Sequence, residues 1–353
     1  MPPIERARAF CDRFGLKIPI LMAPMAGTSP PALAAAAAEA GGLGACGVVQ
    51  MSPAQIAEWA AAFRQKSSGR FQLNTWVRDP PPARDLQHEE TVRAFLGQWG
   101  PPVAAEAGDA VPPNFEAQVE AMLAARPAAI SSVMGLFPTW LIEALKSRSI
   151  PWFAHISTLA EARAAEHAGA DVIVVQGGEA GGHRGAFDVW DDERRQAGLI
   201  ALLPAVADAV KTPAVAAGGI ADGRGVAAAL ALGAHAVAIG TGLLRSPEAA
   251  IDPAWAEGLA GAAPEDTLVS RVFSGRAGRS LATAYVLAAS AADAPHPAPY
   301  PVQRGLTAAM RLAGVGDLAR IQAWAGQSAG LARAAPAGEI MREAWEGAKA
   351  LLV

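Results

Sequence analysis

The stretch Ala231-Leu-Gly-Ala-His-Ala-Val-Ala-Ile-Gly-Thr-Gly242 decides the fold, because two other segments repeat its pattern. They are Glu39-Ala-Gly-Gly-Leu-Gly-Ala-Cys-Gly-Val-Val49 and His167-Ala-Gly-Ala-Asp-Val-Ile-Val-Val-Gln-Gly-Gly178. Each begins in an alanine-rich helical run and meets a glycine where the helix should end. Glycine stops helices there because it enters the left-handed conformation without steric cost. A short apolar run without polar alternation follows, the mark of a parallel strand buried on both faces. The recurring unit is helix, strand, small-residue loop.

Working outward, eight such strands are predicted at 18–23, 43–48, 71–76, 129–133, 152–156, 171–176, 214–217 and 236–239. Helical patterns separate most of them, at 30–40, 53–65, 138–147, 159–168, 199–210 and 223–232. Eight βα units point to an α/β fold of the closed (β/α)8 TIM-barrel type rather than an open doubly wound sheet. Two regions break the repeat. The segment 78–115 is long and rich in proline and charge, with a helical stretch near 86–99. The tail after Ser246 reads as helices at 253–260, 282–292, 305–312, 317–331 and 338–352, with a proline-rich extended linker, Asp293-Ala-Pro-His-Pro-Ala-Pro-Tyr-Pro301. The expected division is a barrel of residues 1–78 and 115–248 and a mostly helical side or cap domain of 79–114 and 249–353 over the barrel mouth.

Composition excludes several function classes. Hydrophobic residues make up 52% of 353 and charged residues 18%, enough for a large core and too apolar for disorder. With 29 basic and 33 acidic residues the net charge is −4, and aromatic residues are only 6%, so nucleic-acid binding has neither its electrostatic footprint nor its stacking platforms. Two cysteines, Cys11 and Cys46, build neither a disulfide framework nor a metal cluster. No apolar signal region opens the chain. The stretch 226–244 is long enough to raise a membrane span, but His235 and Gly233, Gly240 and Gly242 interrupt it. A cytoplasmic protein acting on small molecules, with no membrane association, is the expectation; the oligomeric state is not set by these features.

In such barrels the chemistry sits on the loops after the strands. After the first strand, Ala23-Pro-Met-Ala-Gly-Thr28 offers small residues against which a planar ligand could lie. After the third, Asn74 carries an amide able to pair with the edge of a heterocycle. After the sixth comes Gln176-Gly-Gly-Glu-Ala-Gly-Gly-His-Arg-Gly185, with five glycines in ten residues. Such a loop brings backbone amides close to an anion or flat ring, and it holds His183, the candidate acid/base group. His155 at a strand end is a weaker candidate, and the remaining histidines read as junction, helix or linker residues. After the seventh and eighth strands, Ala217-Gly-Gly-Ile220 and Ile239-Gly-Thr-Gly242 form the paired glycine loops of a barrel phosphate site. No Gly-x-Gly-x-x-Gly follows the first strand, so a dinucleotide in that arrangement is not expected. FMN fits these features best. An inosine-phosphate oxidation would need a cysteine in a mid-barrel loop, and none follows Cys46.

Taken together, Pro24-Met-Ala-Gly-Thr28, Ala40-Gly-Gly-Leu-Gly44, the glycine loop 176–185, Ala217-Gly-Gly-Ile220, Ile239-Gly-Thr241 and the tail motif Trp324-Ala-Gly-Gln-Ser-Ala-Gly-Leu-Ala-Arg333 resemble the nitronate monooxygenase family, formerly called 2-nitropropane dioxygenases. The resemblance implies an FMN-dependent barrel with a helical domain that oxidises alkyl nitronates with O2 to a carbonyl compound and nitrite. It also implies roles by position: Pro24, Met25 and Ala26 beside the flavin ring; Asn74 and Gln176 hydrogen-bonded to it; Gly181, Gly182, Gly218, Gly219, Ile239, Gly240 and Thr241 around ribityl and phosphate. His183 would deprotonate a nitroalkane or orient the nitronate. FMN-dependent NAD(P)H:quinone reductases and enoyl-thioester reductases share this fold and are the alternative. The apolar segment Ser131-Ser-Val-Met-Gly-Leu-Phe-Pro138 receives no role.

Overall fold

A computed structural model describes residues 1–189 and 193–352. Eight of its strands form a closed parallel barrel. In chain order these are β1 (Ile20–Met22), β2 (Leu43–Gly47), β3 (Arg70–Trp76), β4 (Ala129–Val133), β5 (Trp152–Ile156), β6 (Val172–Gln176), β8 (Ala214–Ala217) and β9 (Ala236–Ile239). Closure is made by β1 against β9, with Leu21 in register with Ala238. The strand missing from that series, β7, is only Gly182–His183; it lies outside the barrel at the edge of a three-stranded sheet, paired with β11 (Gly278–Leu281), which pairs in turn with β10 (Thr267–Ser270).

Alternation along the strands divides barrel interior from helix layer. Leu21, Leu43, Phe153, Val174 and Val215 fill the lower interior together with Phe10, Cys11 and Phe14 of the helix Pro3–Phe14. That first helix closes the N-terminal end of the barrel, and Phe14 meets Phe153 edge-on with ring centroids 5.2 Å apart. The opposite faces of the strands pack against the surrounding helices in one large apolar cluster.

The tail departs from expectation in three ways. The region 317–331 is not a helix: it runs in turns, bridges Ser280 through Trp324, and ends in a single 3-10 turn at Ala329–Leu331. The stretch 267–281 forms two antiparallel strands. The last helix, Ala337–Leu351, does not join the cap. It packs on the barrel helices Pro31–Glu39 and Gly223–Ala231, and its Ile340, Met341, Ala344 and Ala348 belong to the barrel's outer cluster. A Cβ on Gly223 would lie 2.8 Å from the Ala348 nitrogen, so that contact requires glycine. The chain end therefore supplies the eighth barrel helix. The rest of the tail and the segment after β3 share a separate core, in which Val92 and Leu96 meet Phe273, Tyr285, Leu306 and Met310. His88 Nε2 lies 2.7 Å from the His296 carbonyl oxygen, a polar tie between the same two segments.

Among the described residues no helix is long and apolar enough to cross a membrane.

The assignment of the eighth helix is open to measurement. Met341 is fully buried between barrel elements, and truncating such a side chain costs about 2–5 kcal/mol. Met341→Ala should shift the urea unfolding midpoint accordingly. An unchanged midpoint would mean that the helix contributes nothing to the barrel.

Candidate active site

The upper interior of the barrel is polar. His155 and Gln176 stand two residues beyond Phe153 and Val174 on the same strand faces, directly above the apolar plug. Asn74 joins them from β3 and donates from Nδ2 to the Ser131 hydroxyl at 3.0 Å and to its carbonyl at 3.2 Å. His155 Nε2 is buried without a hydrogen-bond partner, and burial lowers its pKa to about 4. A buried polar atom left unmatched is costly, so this layer suits a planar heterocycle that could meet it.

Above it, the loop 177–185 is held from every side. Gln176 spans its two ends, donating from Nε2 to the His183 carbonyl at 3.0 Å and accepting from the Gly185 amide at 2.7 Å. Arg184 donates to the Gly177 carbonyl and Arg279 to that of Gly178. The Glu179 carboxylate accepts from the Leu199 amide at the start of the helix Leu199–Ala209. Finally β7 pairs with β11, with His183 opposite Gly278 and Gly182 opposite Arg279.

The glycines divide by what surrounds them. Gly181 must lack a side chain because the tail crosses it; a Cβ there would sit 2.4 Å from the Gly326 nitrogen. Gly182 (φ +77°) and Gly219 (φ +69°) have left-handed backbones, and a Cβ on Gly182 would meet nothing within 4 Å. A left-handed backbone beside open space suits close approach of a ligand. Gly218 and Gly240 stand at the ends of the neighbouring strands β8 and β9. The Thr241 hydroxyl accepts from the Gly326 amide at 3.0 Å, drawing the tail motif onto the same corner. Ile239 is buried in the outer helix cluster, which leaves only its backbone to the site. Met25 lines the Gly240 corner, its Sδ 3.6 Å from where a Cβ on Gly240 would stand, and Ala26 lies against Gly47. Pro24 precedes them at the end of β1.

His183 stands in an aromatic cage. Its ring centroid is 4.6 Å from Trp76 and 4.7 Å from Trp324, and Trp76 lies 5.2 Å from Tyr300. Nε2 is 2.7 Å from the Ser274 hydroxyl, which is itself 3.2 Å from the Arg276 carbonyl. Burial, and then the nearby charges of Arg276 and Arg304, lower the imidazole pKa to about 3. Arg276 is itself held by both oxygens of Asp79 at 3.2 Å. Arg304, half-buried on the short helix Val302–Leu306, pairs with no carboxylate among the described residues.

Sequence reasoning did not single out Trp76, Ser274, Arg276, Tyr300, Trp324 or Arg304 as site residues. Two signals were there to read. Trp76 ends the strand that carries Asn74, and Tyr300, one of only two tyrosines, sits inside the proline-rich stretch taken for a linker. The segment 131–138 has a structural part. Met134 takes a left-handed backbone (φ +66°) and Val133 packs against Gly185, so the turn after β4 forms an apolar wall of the mouth.

The sequence profile described as "Nitronate monooxygenase" matches residues 8–346. The chain is 37% identical over 347 residues to a nitronate monooxygenase of Paraburkholderia phytofirmans, covering 95% of this chain and 93% of that one. It is 36% identical over 344 residues to a nitronate monooxygenase of Pseudomonas aeruginosa, covering 94% and 97%. Among solved structures, nitroalkane oxidase from Streptomyces ansochromogenes superposes with a TM-score of 0.88 at 31% identity over 98% of this chain and 100% of that one. FabK from Thermotoga maritima superposes at 0.76 with 28% identity over 98% and 96%. Fold, family profile and curated relatives converge: the chain is an oxidoreductase that belongs to the nitronate monooxygenase family.

Proposed function

We propose that the protein uses FMN and O2 to oxidise alkyl nitronates to a carbonyl compound and nitrite. The observation that carries this reading is a histidine kept neutral between two tryptophans and close to Arg276 and Arg304. Such a site suits an anion that needs orientation and charge compensation more than it suits a neutral carbon acid that needs a strong base.

The residues fit FMN. Backbone groups of Gly218, Gly219, Gly240 and Thr241, at the ends of β8 and β9, would hold its phosphate, with Gly181 and Gly182 along the ribityl chain and the backbone of Ile239 beside it. Pro24, Met25 and Ala26 would flank the ring, and Asn74 would face its edge. Gln176 would act by holding the loop, since both ends of its amide already bind that loop. When bound, FMN supplies the electron acceptor, and the protein's part is binding, orientation and electrostatics.

Ser274 allows His183 two roles. With the Ser274 proton directed to the Arg276 carbonyl, Nε2 carries the ring proton and Nδ1 offers a lone pair to a C–H bond. With the hydroxyl turned to Nε2, Nδ1–H donates to a nitronate oxygen. A pKa near 3 weakens the first role and leaves the second intact. Arg304 adds positive charge beside that oxygen, and the tryptophans exclude water from it.

Three outcomes are expected. Gly219→Val strains a left-handed backbone by about 1–2 kcal/mol and fills the phosphate corner. The variant should purify folded but without flavin, measured as free FMN released on denaturation; full FMN content would remove Gly219 from the phosphate site. Second, His183→Asn keeps a hydrogen-bond donor and removes the base, whose loss typically costs about 10²–10⁴-fold. Anaerobic flavin reduction should fall by that order with a neutral nitroalkane, if one reacts at all, and far less with preformed nitronate. Equal large losses would defeat the division of roles.

The third outcome concerns pH. A folded pKa near 3, against 6.5 for an ordinary histidine, means that the imidazole stays neutral down to about pH 4. Proton uptake on unfolding then makes His183 a source of stability that is full above pH 6.5 and lost as the pH falls toward 3. The kcat/KM for preformed nitronate should therefore be flat between pH 6 and 8. A limb near 6.5 that disappears in His183→Asn would contradict it.

A further inference from the structure

A cavity of about 540 Å³ lies between the segment after β3 and the 300–302 turn, and Trp76 and Tyr300 line it. Trp76 is also a wall of the His183 cage, at 4.6 Å, and Tyr300 adjoins Trp76 at 5.2 Å. The cavity is thus one ring away from the reacting position, with Trp76 as the shared wall. The FMN reading does not use it, since the phosphate corner is built on β8 and β9 and the polar layer on β3 to β6. Its other walls are mostly proline and apolar side chains, Pro81 and Phe115 among them, and the charged residues of its lining are Arg78, Asp79, Arg84 and Asp109. Proline has a fixed φ and no N–H, so such walls are stiff and hold their shape before a ligand arrives; of the charged groups, Arg84 is paired with Glu89 and Asp109, and Asp79 with Arg276. A two- or three-carbon nitronate would leave nearly all of this volume empty, whereas pockets of about 300–1,000 Å³ hold much larger ligands.

We propose that this cavity receives the organic substituent of the substrate, and that the enzyme's preferred nitronates carry a long alkyl or arylalkyl chain. The assignment rests on the nitronate reading for the identity of the reacting group; the chain-binding part stands on the cavity itself. The –CNO2 group would meet His183, and the chain would pass Trp76 and Tyr300 into the proline-walled space. Each methylene moved from water into such a site should improve binding about fourfold until the cavity is filled.

The test uses the FMN-loaded enzyme in two series. One measures kcat/KM for preformed 1-alkyl nitronates from two to eight carbons. The other measures Kd for straight-chain alkanoates of the same lengths, unreactive anions of similar head shape, from the change they cause in flavin absorbance. Both should improve severalfold per carbon over several carbons. Ala110→Trp, which fills the cavity from the loop after Asp109, should erase the gain for long chains and leave the two-carbon nitronate unchanged. Flat series in the wild-type enzyme overturn the proposal while short-chain turnover keeps the nitronate reading. If no nitronate reduces the flavin, that reading fails, and the alkanoate series alone decides the cavity: a steep series upholds it and a flat one overturns it.

Discussion

Two residues of strand pairing join the glycine loop of the barrel to the tail. Gly182 and His183 lie opposite Arg279 and Gly278, and this short ladder converts a flexible glycine loop into a fixed edge. It acts beside the Gln176 bond to the His183 carbonyl and the Ser274 contact at Nε2. With it, the ring is set between Trp76, carried by the barrel, and Trp324, carried by the tail. Gly278 has to be glycine for this to work, because a Cβ there would come within 2.7 Å of the Trp324 ring. The position of the proposed catalytic histidine thus depends on Gly278, some hundred positions away in the chain.

The same geometry sets the electrostatics. Closing the cage removes water from the imidazole, and a cation inside it would face Arg276 and Arg304. Both effects penalise the protonated form. The arginines are not equivalent. Arg276 is almost wholly buried but compensated by Asp79, so its field is partly cancelled. Arg304 has no such partner among the described residues, and burial lowers its own pKa. An anion in the mouth would relieve Arg304. Strong basicity and anion binding pull this site in opposite directions, and the charges present favour the anion.

The barrel was legible from the sequence because parallel strands buried on both faces write themselves as short apolar runs, and glycine marks the helix ends between them. The runs at 129–133, 152–156, 214–217 and 236–239 match the strands residue for residue. The glycine loop was legible for a related reason, since so many glycines in one place exceed what a turn needs. The cage was not. Trp324 is brought to His183 by long-range pairing through β11, and no local pattern in the tail announces that contact. The two strands at 267–281 were missed because Thr267-Leu-Val-Ser270 and Gly278-Arg-Ser-Leu281 are too short to show alternation. The helix expected over 317–331 failed on Trp-Ala-Gly-Gln at 324–327, whose backbone is drawn to Arg279, Thr241 and Glu179 instead of to itself.

The location of the cap follows from chain connectivity alone. The segment carrying Leu86–Leu96 joins β3 to the helix Phe115–Ala124, and residues 240–336 join β9 to the helix Ala337–Leu351. Both are connections from a barrel strand to the helix that follows it, and in a parallel barrel every such connection leaves from the same end. Once the last helix is recognised as the eighth of the barrel, the tail ceases to be an appended domain and becomes one very long loop. Two long loops from one rim have nowhere to bury their apolar faces except against each other and the mouth. That is where Leu96, Tyr285 and Met310 are found together, and it is why the residues that complete the site come from outside the repeat that built the barrel.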